Sequence, residues 1–213
     1  MELKDYLEKI EIKYKNLELY ETAFTHSSFS NENKNSNNYE RLEFVGDAIL
    51  DLLVSIHLYN FTSSLEGEMT KLRAEKVCEE AENIYASKLG LNEFIKLGKG
   101  EKNPNEKVIA DVFEALIAAI YLDLGLDSVT TFFEKNVVPY FSLAVFPDYK
   151  SILQEILQEK GPRIIKYKDF QVKDNFIAEI YLDDTIILGT GTGKSKAKAE
   201  INAAKDALSR RKE

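Results

Sequence analysis

The segment Tyr39 to Ile56, YERLEFVGDAILDLLVSI, carries four carboxylates at helical spacing. With Glu40 set at zero and about 100° per residue, Glu43 falls at about −60°, Asp47 at about −20° and Asp51 at about +20°. Leu42, Val45, Ile49, Leu52, Leu53 and Ile56 cluster at about 170° on the same scale. Acid and apolar side chains thus take opposite sides of one helix. A solvated face also produces such a stripe, but no lysine is interleaved here, so like charges one turn apart repel by roughly 0.2–0.5 kcal/mol per pair. Bound cations would relieve that repulsion. A second pair, Asp111 and Glu114, sits one turn apart in IADVFEALIAAIYLD (109–123), a stretch otherwise almost wholly apolar. So oily a helix is expected at the centre of its domain, where unpaired carboxylates are costly and need Lys, Arg or a metal as partner. Several hard oxygen donors without His or Cys suit Mg2+ or Mn2+ rather than zinc. The chemistry this donor set points to is phosphoryl transfer, in which metal activates water, polarises a phosphodiester and stabilises the leaving 3′ oxygen.

Helices must position these acids. Apolar residues from Leu3 to Phe29 recur at helical spacing, and Ser30 to Asn38 (SNENKNSNN) reads as a polar loop. Segments 39–60, 68–89, 105–124 and 127–143 are long and helically periodic, punctuated by Gly90, Gly98, Gly100 and Pro104. The first region is therefore expected to be an all-helical bundle. Pro139, Pro147 and Asp148 mark a break. Beyond it Ser151 to Gly161 predicts a helix, 165–172 and 176–189 predict β-type runs, and about Ser195 to Arg211 predicts a final helix, an α-β-β(-β)-α second domain.

The chain has 213 residues, 44% hydrophobic and 30% charged, which excludes a disordered or fibrous class. No apolar run approaches the roughly 18 residues of a membrane span. The start, Met1 to Asp5, lacks a basic-then-apolar leader, so a soluble, cytoplasmic protein is expected. Cys78 is the single cysteine, which rules out an internal disulfide or a thiolate zinc cluster within one chain and suits simple packing. A net charge of −8 argues at first against a polyanionic partner. The average hides an asymmetry: residues 1–147 hold 15 basic against 25 acidic side chains, a net −10, and residues 148–213 hold 13 against 11, a net +2. Acids that hold metal reverse the sign of the argument, because a filled site attracts phosphate.

ERLEFVGDAIL at 40–50 resembles the signature segment of the ribonuclease III family. AFTHSSF (23–29), EGEMTKLRAEKV (66–77), LGKGE (97–101) and KVIADVFEALIAAIYLD (107–123) follow in the family's order, and the resemblance covers essentially the whole chain. It implies an all-α endonuclease domain, residues 1–147, followed by a small α+β (α-β-β-β-α) domain, residues 148–213, that binds double-stranded RNA. It implies Glu43, Asp111 and Glu114 as ligands of Mg2+, with Mn2+ able to substitute. Asp47 and Glu114 match the catalytic pair, and Glu40 a supporting acid. It implies a homodimer through the signature helix, consistent with an apolar face carrying small Gly46 and Ala48. Two sites on a dimer would cut both strands across a minor groove, leaving short 3′ overhangs with 5′-phosphate and 3′-hydroxyl ends. Asp51 matches no family role and reads as solvated. Glu66 opens a motif near the RNA-cutting cleft, while capping of the following helix explains it equally well. His26 in ThrHisSerSer reads as local hydrogen bonding rather than catalysis, and His57 is a weaker candidate still.

The tail resembles a double-stranded RNA-binding domain at YKSILQEILQEKG (149–161) and GTGTGKSKAKAEINAAKDAL (189–208). Lys194, Lys196 and Lys198 gather at the start of the last helix, where backbone N–H groups and the dipole favour phosphate. Gln154 and Glu155 match first-helix residues that reach minor-groove hydroxyls. Such contacts read A-form shape with little sequence preference. The tail departs from the family where Val172, Lys173, Asp174 and Asn175 lead straight to Phe176 without the Gly-Pro-x-His loop of a second minor-groove contact, and Ala197 replaces one lysine. Weaker duplex binding than a full domain gives is expected. The reading from another class is a catalytically silent RNA-binding scaffold of the same fold, which would be expected to lack some of the acids that Glu40, Glu43, Asp47, Asp111 and Glu114 supply.

Overall fold

The computed structural model describes residues 1–33, 36–145, 147–159, 161–173 and 175–210. Contacts divide the chain into two units, Met1–Val145 and Phe146–Glu213. The described residues of the first unit are helical: α1 (Leu3–Lys9), α2 (Leu17–Ala23), α3 (Ser27–Glu32), α4 (Glu40–Phe61), α5 (Glu66–Lys76), α6 (Glu79–Leu89), α7 (Glu106–Leu124) and α8 (Leu126–Asn136), with short 3-10 turns at Leu91–Phe94 and Val138–Tyr140.

The axis of this unit is α7. Asn105 caps it, its side chain accepting from the Val108 N–H at 3.0 Å. Almost every residue from Val108 to Ile120 is buried, Asp111 among them, and α2, α4, α6 and α8 pack around it. Helix α4 crosses α7 at Gly46, where a Cβ would lie 1.9 Å from the Glu114 carbonyl oxygen. Only glycine permits that approach. Gly46 therefore serves contact within the chain, and Ala48, its companion in the sequence reading, is exposed. The apolar face of α4 is wider than the expected cluster. Leu42, Ile49, Leu50, Leu53 and Val54 enter the core, whereas Leu52 and Ile56 stay exposed.

Three boundaries differ from expectation. The polar loop begins later, because α3 runs on to Glu32. The expected helix 68–89 is two helices broken at Val77 and Cys78. Cys78 adopts an extended backbone, and Glu79, Glu80 and Glu82 fill the first turn of α6, where negative charge favours a helix start. The Lys76 side chain turns inward there and donates to the carbonyls of Phe141 at 3.1 Å and Ala144 at 2.6 Å. The expected helix 127–143 ends at Asn136, ahead of a 3-10 turn that Pro139, which has no N–H to donate, shapes.

The second unit is α9 (Tyr149–Gln158), an antiparallel sheet of β1 (Ile165–Val172), β2 (Asn175–Leu182) and β3 (Ile186–Gly193) in that order, and α10 (Lys196–Arg210). The expected run 176–189 splits at Asp183 and Asp184, both at positive φ, a conformation short polar side chains tolerate. Arg211, the expected end of the last helix, lies outside the described residues. Strand β3 alternates Gly189, Gly191 and Gly193 against α10, where an added Cβ would meet the helix at 2.1–2.6 Å. Ala199, Ala203 and Ala207 face it in the core with Leu153, Leu157 and Ile180. Val172 pairs directly with Asn175, so β1 and β2 are joined by a two-residue connection. Among the described residues no helix is long and apolar enough to cross a membrane.

Because Gly46 sits backbone to backbone with Glu114, Gly46→Ala is expected to destabilise the chain by about 2 kcal/mol or more. A urea midpoint unchanged from wild type would show that the crossing tolerates a methyl group.

Candidate active site

The crossing at Gly46 decides which side chains meet. Glu43 and Asp47 flank the glycine on α4, and on α7 Glu114 is its contact, with Asp111 one turn before. Together with Glu40, and with Glu82 from α6, they line a cavity of about 410 Å³. Glu40 and Asp47 are exposed, Glu43 and Glu114 are half-buried, and Asp111 and Glu82 are buried. The structure thus brings together Glu40, Glu43, Asp47, Asp111 and Glu114, but not Asp51 or Glu66.

Asp111 is the most firmly held. The Tyr39 hydroxyl donates to it at 3.2 Å, and the Lys107 ammonium donates to both its oxygens at 2.8 and 2.9 Å. The same ammonium lies 3.9 Å from Glu43. Burial and the neighbouring Asp111 charge push the Tyr39 hydroxyl far up, so it stays a neutral donor. Burial also raises Glu43 above the usual carboxylate range, Asp111 adds to the rise, and Lys107 opposes it. Glu82 and Glu114 are both pushed up, chiefly by burial, and Glu82 the further. The contact between them raises Glu82 and lowers Glu114, the latter against burial and repulsion from Asp47, Glu43 and Asp111.

This donor set fits a hard divalent cation. It is made of carboxylate oxygens from three helices, without sulfur or imidazole, and their mutual repulsion is what such a cation relieves. Among the described residues no three of these groups already stand as a closed chelate. Lys107 supplies the counter-charge instead, from a side chain 66% exposed and able to leave.

Other residues separate from the cavity. Asp51 faces α5 and pairs with Arg73 at 3.6 Å. Glu66 stands at the start of α5, accepts from the Thr70 hydroxyl at 3.2 Å, and lines a groove with Ile56, Tyr59, Met69 and Arg73. His26 Nδ1 meets both Ser28 Oγ at 2.8 Å and Glu101 Oε2 at 3.4 Å, so one nitrogen faces both partners. His57 packs among Phe61, Phe133 and Phe141 and bonds Glu134. In the second unit Gln154 and Glu155 are exposed on α9. Lys194 and Lys196 are exposed at the start of α10, with Lys198 half-buried beside them. Ser195 caps that helix by accepting from the Lys198 N–H at 3.2 Å.

Sequence reasoning missed Tyr39, Glu82 and Lys107. Glu82 carried a readable signal, the one that singled out Asp111: a carboxylate among apolar positions, here Ala81, Tyr85 and Ala86.

Comparison with known proteins agrees with this architecture. Residues 16–141 match the family described as Ribonuclease-III-like, and residues 149–210 match the double-stranded RNA binding motif. The chain is 45% identical to Ribonuclease 3 of Onion yellows phytoplasma over 211 residues, 94% of this chain and 88% of that protein. It is 41% identical to Ribonuclease 3 of Clostridium tetani, covering 98% and 94%. Among solved structures, the nuclease domain of ribonuclease III from Campylobacter jejuni, described as flexible in a region involved in dimer formation, superposes with a TM-score of 0.60 at 34% identity. That match covers 66% of this chain and 99% of that one.

Raised carboxylates set the sign of a pH effect. When both states are protonated, Glu82 and Glu114 impose no penalty; as pH rises past the unfolded carboxylate range the unfolded chain releases protons that the folded one retains, and stability falls. In chelator, the melting temperature is expected to drop between pH 5 and 8 by more in the wild type than in Glu82→Gln. Equal drops in the two proteins would contradict it.

Proposed function

This chain belongs to the ribonuclease III family and is an endoribonuclease of double-stranded RNA, and from that premise we propose that it cuts by metal-assisted hydrolysis at the α4–α7 cavity. Metal dependence is general to the family. We assign Glu43, Asp111 and Glu114 to hold Mg2+, with Mn2+ able to substitute, and Glu40 to a supporting role. One observation carries the assignment: two helices contribute flanking acid pairs to one cavity because their backbones touch at Gly46.

A bound divalent cation supplies the charge that polarises the phosphodiester and lowers the pKa of a water. The chain's own part is placement. Tyr39 fixes the orientation of Asp111. Lys107 neutralises Asp111 and Glu43 until it is displaced. Asp47, exposed at the cavity rim, orients the attacking water, and Glu114 completes the catalytic pair. The water oxygen bonds to phosphorus as the bond to the 3′ oxygen breaks, leaving a 5′-phosphate and a 3′-hydroxyl. Cuts staggered on the two strands leave short 3′ overhangs.

The stagger needs two subunits. We assign the homodimer contact to α4, whose exposed side includes Phe44, 81% exposed, and Tyr59, 76% exposed, with Leu52 and Ile56. Large rings so placed in water support burial against a second copy. Glu66, on the groove beside Tyr59, is assigned to the RNA-facing side of that assembly. Duplex RNA is held by Lys194, Lys196 and Lys198 around the start of α10 and by Gln154 and Glu155 on α9. The two-residue β1–β2 connection offers no second minor-groove loop.

The purified chain is expected to cut labelled duplex RNA in Mg2+, and to leave single-stranded RNA, duplex DNA and chelator controls intact. Binding without cutting in both Mg2+ and Mn2+ would instead make it a silent scaffold. Glu114→Gln is expected to lower cleavage at least about 100-fold while duplex binding and dimerisation persist; an equal loss of binding would remove Glu114 from the catalytic pair. Replacing Lys194, Lys196 and Lys198 with Ala is expected to flatten the slope of log affinity against log salt by about 2 to 3. An unchanged slope would take those lysines off the phosphates.

A further inference from the structure

Glu82 is the deepest acid of the cavity and the one with the poorest local explanation. It is 4% exposed, and its Oε1 meets no N–H or O–H donor. What faces the side chain is the Glu114 carboxyl, with Asp47 and Asp111 beyond it. No lysine or arginine pairs with it among the described residues, for Lys107 is directed at Asp111 and Glu43. A structural role would call for the opposite features. Core polar groups that stabilise a fold are satisfied by partners; an unsatisfied buried carboxyl is unfavourable where an apolar side chain of the same volume would be favourable.

The neighbours sharpen the point. Ala81, Tyr85 and Ala86 on the same helix are buried, and Glu82 takes a place among them that an aliphatic side chain would fill. It opens instead into the cavity shared by Glu43, Asp111 and Glu114. An acid retained at such a place needs a cation to compensate it, and the cavity is where one binds on the reading given above.

We propose that Glu82 is a further carboxylate of the divalent-cation site, contributed by α6, and that it sets the affinity of the site for metal. The inference rests on the α4–α7 cavity being the metal site. Glu82 acts there through charge and through its contact with Glu114, which it positions from behind. The arrangement makes the site trade fold stability for cation binding, so the two quantities should move in opposite directions when Glu82 is replaced.

The test uses the full-length protein, with Mn2+ titrated calorimetrically in the absence of RNA and melting followed in chelator. Glu82→Gln keeps the shape and removes the carboxyl group, and Glu82→Leu makes the position apolar. Both are expected to weaken Mn2+ binding at least fivefold, and Glu82→Leu to raise the melting temperature in chelator. Mn2+ affinity equal to wild type in both variants would overturn the proposal, as would a lowered melting temperature of Glu82→Leu in chelator. Failure of the wild type itself to bind Mn2+ would overturn the metal reading beneath it, a result distinguishable from the first because it appears before any substitution is made.

Discussion

Helices α4 and α7 touch through their backbones at Gly46, and most of what this chain can do follows from that contact. Helices packed through ordinary side chains sit about 8–10 Å apart. A glycine at the crossing removes the spacer, and the residues three before and one after it come to face Asp111 and Glu114. The remainder of the first unit keeps that contact rigid. Helix α7 is buried along nearly its whole length, so it cannot rotate to relieve the repulsion among the acids it helps to gather.

That repulsion is the second constraint. Carboxylates taken out of water cost several kcal/mol each unless they are paired, and the cavity has Lys107 and Tyr39 to compensate a group of six. The apolar burial around α7 holds the acids in place against this opposition. The same imbalance resolves the puzzle of an acidic chain acting on a polyanion. Six acids line the cavity proposed to hold a cation, and the second unit carries Lys194 and Lys196 exposed at a helix start, where the dipole also favours phosphate.

How far sequence reasoning reached depended on whether a feature lay within one element or between elements. Glu43, Asp47, Asp111 and Glu114 were legible because angles around one helix separate acid from oil, and an acid on an oily helix stands out. That they share a cavity was implied by resemblance, since periodicity has no access to which helices cross. Gly46 was read as a surface residue for subunit packing, and only the Glu114 carbonyl lying against it reveals its place. The break after Lys76 lacked a Gly or Pro to announce it. What accompanies it, the Lys76 ammonium bonded to carbonyls 65 and 68 residues away, is tertiary. Glu82 was overlooked although its spacing from Tyr85 and Ala86 puts it on their face of any helix through 82–86, because α6 is rich in acids and one more did not stand out as it does on α7.

The split apolar face of α4 has the same origin. Helical arithmetic placed Leu42, Ile49, Leu52, Leu53 and Ile56 together, but a single partner helix covers only part of an arc that broad. Leu42, Ile49 and Leu53 are taken by the core, and Leu52 and Ile56 are left in water beside Tyr59. One helix therefore carries three surfaces at once: acids toward the cavity, aliphatics toward α7, and an apolar edge open to a partner. Glu43 and Phe44 are consecutive residues yet belong to the first and the third. A rigid 22-residue helix without proline has no joint between these surfaces. On the proposed assembly, a subunit covering Phe44 and Tyr59 would bear on the placement of Glu43 and Asp47, because one helix carries both surfaces.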